Sequence, residues 1–139
     1  MGYDLMNKNG GEFEFNGRSW GPVLDLAKLY GWEPMGTVLT EDDLIWSGLT
    51  DTALIQELIK NWNGSYYGND FQIVEEEDAI NLAHALMNAV KELPDKKSYV
   101  DNYWITTREL LINHFSDLDS KIHLKKFIQF CIDGEFIIF

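Results

Sequence analysis

Basic residues are scarce in this sequence: 11 Lys and Arg stand against 23 Asp and Glu, a formal net charge of −12. Such a surface repels phosphate backbones, and the longest basic runs are the pairs Lys96-Lys97 and Lys125-Lys126. Nucleic-acid binding, which draws on Lys and Arg that release counterions, is therefore not expected. Cysteine occurs once, at Cys131, which rules out an intrachain disulfide or a zinc site built from several cysteines. Its neighbours Phe130 and Ile132 mark it as a small buried hydrophobe. No stretch approaches the roughly 18 apolar residues of a membrane span. Residues Met1 to Asn16 lack a basic segment followed by an apolar run, so a cytoplasmic protein without membrane attachment is expected. Asn63-Gly64-Ser65 has the form of a glycosylation sequon but reads as a turn in that setting.

What is present is an ordinary globular composition, 45% hydrophobic and 14% aromatic over 139 residues, which suits a single domain with one core. Glu12-Phe13-Glu14-Phe15 alternates with the two-residue period of a half-buried strand. Ser19 precedes a helix with Pro22 in its first turn and Val23, Leu24, Leu26, Ala27 and Tyr30 on one face, stopped at Gly31. Residues 32–48 read as a loop with one helical turn, capped by Thr40 and running through Trp46. Asp51 or Thr50 caps the next helix, whose apolar face is Leu54, Ile55, Leu58, Ile59 and Trp62, with Asn63-Gly64 as its end. Gly68-Asn69-Asp70 is a turn, and Phe71, Ile73 and Val74 suggest a short extended piece.

The clearest element follows. Glu75, Glu76, Glu77 and Asp78 lie where a helix dipole favours negative charge, and Ala79, Ile80, Leu82, Ala83, Leu86, Val90 and Leu93 form a broad apolar stripe up to Pro94. After a polar linker, Asp95 to Asn102, Thr106 and Glu109 make a capping box ahead of Leu110, Leu111, Ile112 and Phe115. A further helix from Asp117 or Asp119 carries Ile122, Leu124, Phe127, Ile128 and Cys131 inward to Gly134. Phe136-Ile137-Ile138-Phe139 is too apolar to stand in water and is expected to pair as a strand with Glu12 to Phe15. The expected fold is mainly α: about five helices with a small antiparallel β pairing of the N- and C-terminal segments.

Catalytic and metal-binding signatures are sparse. His84 shares a face with Glu77, Asn81, Asn88 and Lys91, and His123 lies among Asp119, Lys126 and Gln129, so both read as solvated, while His114 sits near a helix C-terminus. No H-E-x-x-H spacing, calcium loop, G-x-S-x-G elbow or phosphate-binding glycine loop occurs, so no metal, cofactor or catalytic residue is assigned. Two aromatic groups stand out: Trp62 with Tyr66 and Tyr67, and Tyr99 with Tyr103 and Trp104. Tyr and Trp dominate interface hot spots when exposed. Asp70, exposed by its turn beside Phe71, is the most plausible isolated carboxylate for a site, against the alternative of an Asx turn. The candidate binding residues are Trp62, Tyr66, Tyr67, Asp70 and Trp104.

The run Trp62-Asn63-Gly64, then Asn69-Asp70-Phe71-Gln72-Ile73-Val74, then Asp78-Ala79 with Leu82-Ala83-His84-Ala85-Leu86 resembles a family of small bacterial proteins of unknown function. They read W-x-G, N-D-G-x-x-V and D-A-x-x-L-A-x-A-L. The likeness extends to Gly2-Tyr3-Asp4-Leu5, Gly31-Trp32 and Phe127 to Cys131, and implies a single domain but no activity. Phe71 departs from the pattern, which has glycine there, so the turn after Asp70 lacks the residue that takes positive φ freely.

Acid excess combined with aromatic clusters suits electrostatic steering plus apolar anchoring. The expected function is a non-catalytic protein-binding domain, an acidic inhibitor or immunity-type partner of a basic protein such as a toxin or nuclease. The alternative is a small-molecule binder or enzyme with a site around Asp70, Tyr66, Tyr67 and Trp62. A homodimer burying the C-terminal segment is a third possibility.

Overall fold

A computed structural model describes residues 2–98 and 105–139. The chain runs β1 (Gly2–Asn7), β2 (Glu12–Asn16), α1 (Trp20–Leu29), α2 (Glu41–Trp46), α3 (Thr52–Lys60), β3 (Gln72–Val74), α4 (Glu76–Glu92), α5 (Thr107–His114), α6 (Leu118–Ile132) and β4 (Phe136–Ile138). The four strands form one antiparallel sheet in the order β2-β1-β4-β3. Among the described residues, six helices and this sheet make the fold α+β, a correction to the mainly α expectation.

The two ends of the chain do pair, but in a different register of partners. β4 lies between β1 and β3, with Leu5 opposite Ile138 and Val74 opposite Phe136, while β2 pairs with β1 alone. The C-terminal strand therefore does not meet Glu12 to Phe15, because β1 stands between them. β1 escapes a pattern search because it brings only Tyr3 and Leu5 to the core as apolar residues, and Met6 points the other way. Its third core-facing residue, Asn7, is buried, and its Oδ1 accepts from the backbone N–H groups of Asn9 at 3.1 Å and Gly11 at 2.8 Å, which closes the β1–β2 hairpin.

One face of the sheet carries Leu5, Phe15, Val74, Phe136 and Ile138 into the main core, where they meet Trp20, Leu24, Leu82, Leu86, Leu124 and Phe127. α4 packs most extensively on α6, and on α1. Fully burying one such Leu or Phe contributes about 1.5–3 kcal/mol. Of the expected stripe along α4, Ala79, Leu82, Ala83, Leu86 and Leu93 are buried, whereas Ile80 and Val90 are only half-buried, and Ala89, not expected on it, is inaccessible. A smaller second cluster, Leu39, Leu44 and Ile55 with Leu49, Ile59 and Trp62 against it, joins α2 to α3. Because α3 rests on so small a cluster, Leu54 and Leu58, expected on the buried face, are exposed. Ile122 of α6 is likewise exposed, since Leu124, Phe127, Ile128, Phe130 and Cys131 already fill the side that faces α4 and the sheet.

The caps follow the sequence signals in most places. Thr40, Asp51, Thr106 with its reciprocal Glu109, and Asp117 each cap a helix with a side-chain bond. Ser19 occupies its cap position without one, and its N–H donates instead to Asn16 Oδ1 at 2.9 Å. Among the described residues no helix is long and apolar enough to cross a membrane.

Candidate functional site

The described residues among those singled out in the sequence, Trp62, Tyr66, Tyr67 and Asp70, do not form one open site. Tyr66 is buried, and its hydroxyl donates to Asp78 Oδ2 while accepting the Gly36 N–H at 2.9 Å. Asp78 Oδ1 accepts Trp32 Nε1–H at 2.9 Å. Asp78 is wholly inaccessible, so its role goes beyond the helix dipole assigned from sequence. It fastens residues 32–37 and Tyr66 to the first turn of α4. Burial and the adjacent Asp78 carboxylate push the Tyr66 hydroxyl well above the ordinary tyrosine range. Trp62 is half-buried in the α2–α3 cluster, and its Nε1–H donates to the Thr37 carbonyl and hydroxyl, both at 3.1 Å. Tyr67 is exposed and lies over Gly21 of α1. Trp104, with Tyr99 and Tyr103, falls outside the described residues.

Asp70 is exposed, but its turn is not an Asx turn of its own making. The Asp70 N–H donates to Gln72 Oε1 at 2.9 Å, and Gln72 Nε2 donates back to the Gly68 carbonyl at 2.8 Å. The fully buried Gln72 side chain is the scaffold of the loop. Phe71, where a glycine was missing, takes the left-handed conformation itself, with φ +62°, the one non-glycine residue to do so among those described. A large side chain in that region costs about 1 kcal/mol or more. It is retained because Phe71 N–H donates to the Ile138 carbonyl at 3.0 Å and its ring meets two others, Trp46 at 5.6 Å and Phe139 at 6.1 Å. Trp46 and Phe139 are themselves 6.3 Å apart. Trp46 is 57% exposed, so the three rings form a surface ridge.

The ridge borders the side of the sheet that faces away from the core. By alternation that outer face carries Asp4 and Met6 of β1, Glu12 and Glu14 of β2, Ile73 of β3 and Ile137 of β4. Phe139, Asp4, Glu12 and Glu14 share a shallow depression of about 180 Å³. On the other side of Met6 and Ile137, a groove of about 540 Å³ separates the sheet from the start of α2, with Asp42, Asp43 and Glu135 on its walls and Lys8 at its rim. The register sets Asp4 directly opposite Glu14. The Asp4 carbonyl accepts Phe139 N–H at 2.8 Å, so the Asp4 backbone faces β4, and Asp4–Glu14 is the closer, non-hydrogen-bonded kind of cross-strand pair. Like charges so placed destabilise the sheet by a few tenths of a kcal/mol up to about 1 kcal/mol. The ion pairs of the described residues, Lys97–Asp117, Arg108–Glu92 and Lys121–Asp95, involve none of these acids.

At the outer edge of β2, His123 packs on Phe13 and Phe15 with ring centroids 4.8 and 4.9 Å away, a contact its place on the polar side of α6 did not suggest. Burial lowers its pKa; the Glu14 backbone beside it acts in the opposite direction. Comparison with family models, curated proteins and solved structures finds no match to this chain. Neither the sequence pattern nor the strand periodicity flags the ridge. The only early signal is the absence of glycine at position 71.

Proposed function

We propose that this chain is a non-catalytic binding domain for a basic protein, of the inhibitor or immunity type, and that the outer sheet face is its contact surface. The observation that carries this reading is the Asp4–Glu14 pair: two exposed acidic residues set directly opposite each other on an open face, neither of them in an ion pair among the described residues. Lysines or arginines of a partner would relieve the repulsion between these two acids on binding, so the cost to the free domain becomes a gain in the complex. The net charge of −12 steers such a partner inward at a rate that falls with ionic strength.

The test is affinity capture with the wild-type chain and with the D4K/E14K variant side by side. A basic protein retained by the wild type at low salt, shed at high salt and missed by the variant supports the reading. Equal retention by both, or no basic protein with either, overturns it.

A further inference from the structure

We propose that the Trp46–Phe71–Phe139 ridge is the anchor of this contact surface and that it takes an arginine-bearing segment of the partner; this rests on the reading above. Three observations point the same way. Trp46 is more than half exposed and, with Phe71 and Phe139, makes a contiguous aromatic patch at the surface, the kind of feature that marks an interaction site. Phe71 holds a backbone conformation that disfavours large side chains, and in it the ring packs against both Trp46 and Phe139, which also meet each other. Third, the ridge runs without a break, through Phe139, into the depression that holds Asp4, Glu12 and Glu14, while exposed Asp70 flanks Phe71.

Aromatic faces rimmed by carboxylates fit one side chain above others. The guanidinium of arginine is planar, stacks on aromatic rings, and presents several N–H donors to carboxylates at the same time. Lysine offers a strongly hydrated point charge that gains less from stacking. A second copy of this chain is a poor occupant, since two molecules of charge −12 repel each other.

The probe is an octa-arginine peptide, compared with octa-lysine and with the uncharged octa-citrulline, titrated into the ¹⁵N-labelled chain at low salt. Saturable binding should move the Trp46 indole N–H, assigned by its loss in W46F, and the amides of Phe71, Phe139, Asp4 and Glu14. Octa-arginine should bind more tightly than octa-lysine, and octa-citrulline should not bind. W46A, a change at an exposed position that leaves the fold intact, should weaken octa-arginine binding roughly tenfold. An unchanged affinity in W46A, or shifts confined to the acidic residues with Trp46 still, overturns the ridge as anchor while leaving the basic-partner reading in place. No saturable binding of either basic peptide overturns both. A dimer in sedimentation that W46A dissolves overturns the proposal in favour of contact between copies.

Discussion

Replacing Asp78 is the most informative perturbation of the fold. The carboxylate is inaccessible and holds the Trp32 indole N–H and the Tyr66 hydroxyl, with the Met35 N–H a long third donor at 3.4 Å. Asp78→Ala removes the acceptor and leaves two buried donors unpaired. At about 1–3 kcal/mol for each orphaned group, the expected loss is about 2–6 kcal/mol, a large part of the roughly 5–15 kcal/mol typical of a domain. Asp78→Asn sharpens the reasoning. The amide oxygen can still accept from Trp32, but the amide nitrogen faces a hydroxyl that already accepts the Gly36 N–H. The hydroxyl proton loses its partner, and the expected cost is a smaller ~1–2 kcal/mol. Urea unfolding followed by circular dichroism measures both, with an unchanged slope showing that the two-state comparison holds. A loss below about 1 kcal/mol for Asp78→Ala would refute the argument, since the donors would then have another acceptor and residues 32–37 would not depend on α4 for their place.

At position 71, Phe71→Ala keeps the left-handed strain and discards the ring contacts, whereas Phe71→Gly discards both; glycine should be the more stable variant by about 1 kcal/mol in thermal or urea unfolding, and equal stabilities would show that the backbone is not strained. Asp4→Asn should raise stability by a few tenths of a kcal/mol by removing the like-charge pair while weakening capture of a basic partner, and a loss of stability would contradict the repulsion. His123 has a folded pKa below its unfolded value, so the unfolded chain takes up the proton first as pH falls. Its contribution is therefore fully present above about pH 6.5 and is lost as pH drops from there toward the folded pKa. The stability of H123Q should depend less on pH across this window, and identical pH profiles would sink the assignment.

The helices were legible because the evidence for each is local. The stripe on α4, the Thr106–Glu109 capping box and the Thr40, Asp51 and Asp117 caps need only neighbours within a turn or two, and each stands where the residues place it. Strand β2 was legible for the same reason. The pairing of strands was not, because β1 lacks a clear alternation and a strand's partner lies far off in sequence; only its insertion between β2 and β4 decides which residues Phe136 to Ile138 meet. Burial on α3 and α6 failed locally for a related reason. Periodicity says which side chains share a face, but the size of the neighbouring cluster says how many of them are covered, and Leu54, Leu58 and Ile122 are left outside.

The site divides along the same line. Composition alone determined the sign of the surface and with it the class of partner that charge would favour or repel. Which acids stand together and which aromatics reach the surface depended on long-range contacts: Asp4 against Glu14 across two strands, and Trp46, Phe71 and Phe139 brought from three separate segments. Tyr66, from the loop before β3, and Asp78, from the first turn of α4, turned inward instead, because a buried carboxylate with three donors holds a loop in place more firmly than an exposed one. Charge and helical propensity are properties of residues and short segments, and the sequence determines them; burial and adjacency are properties of the packed chain, and only the tertiary structure decides them.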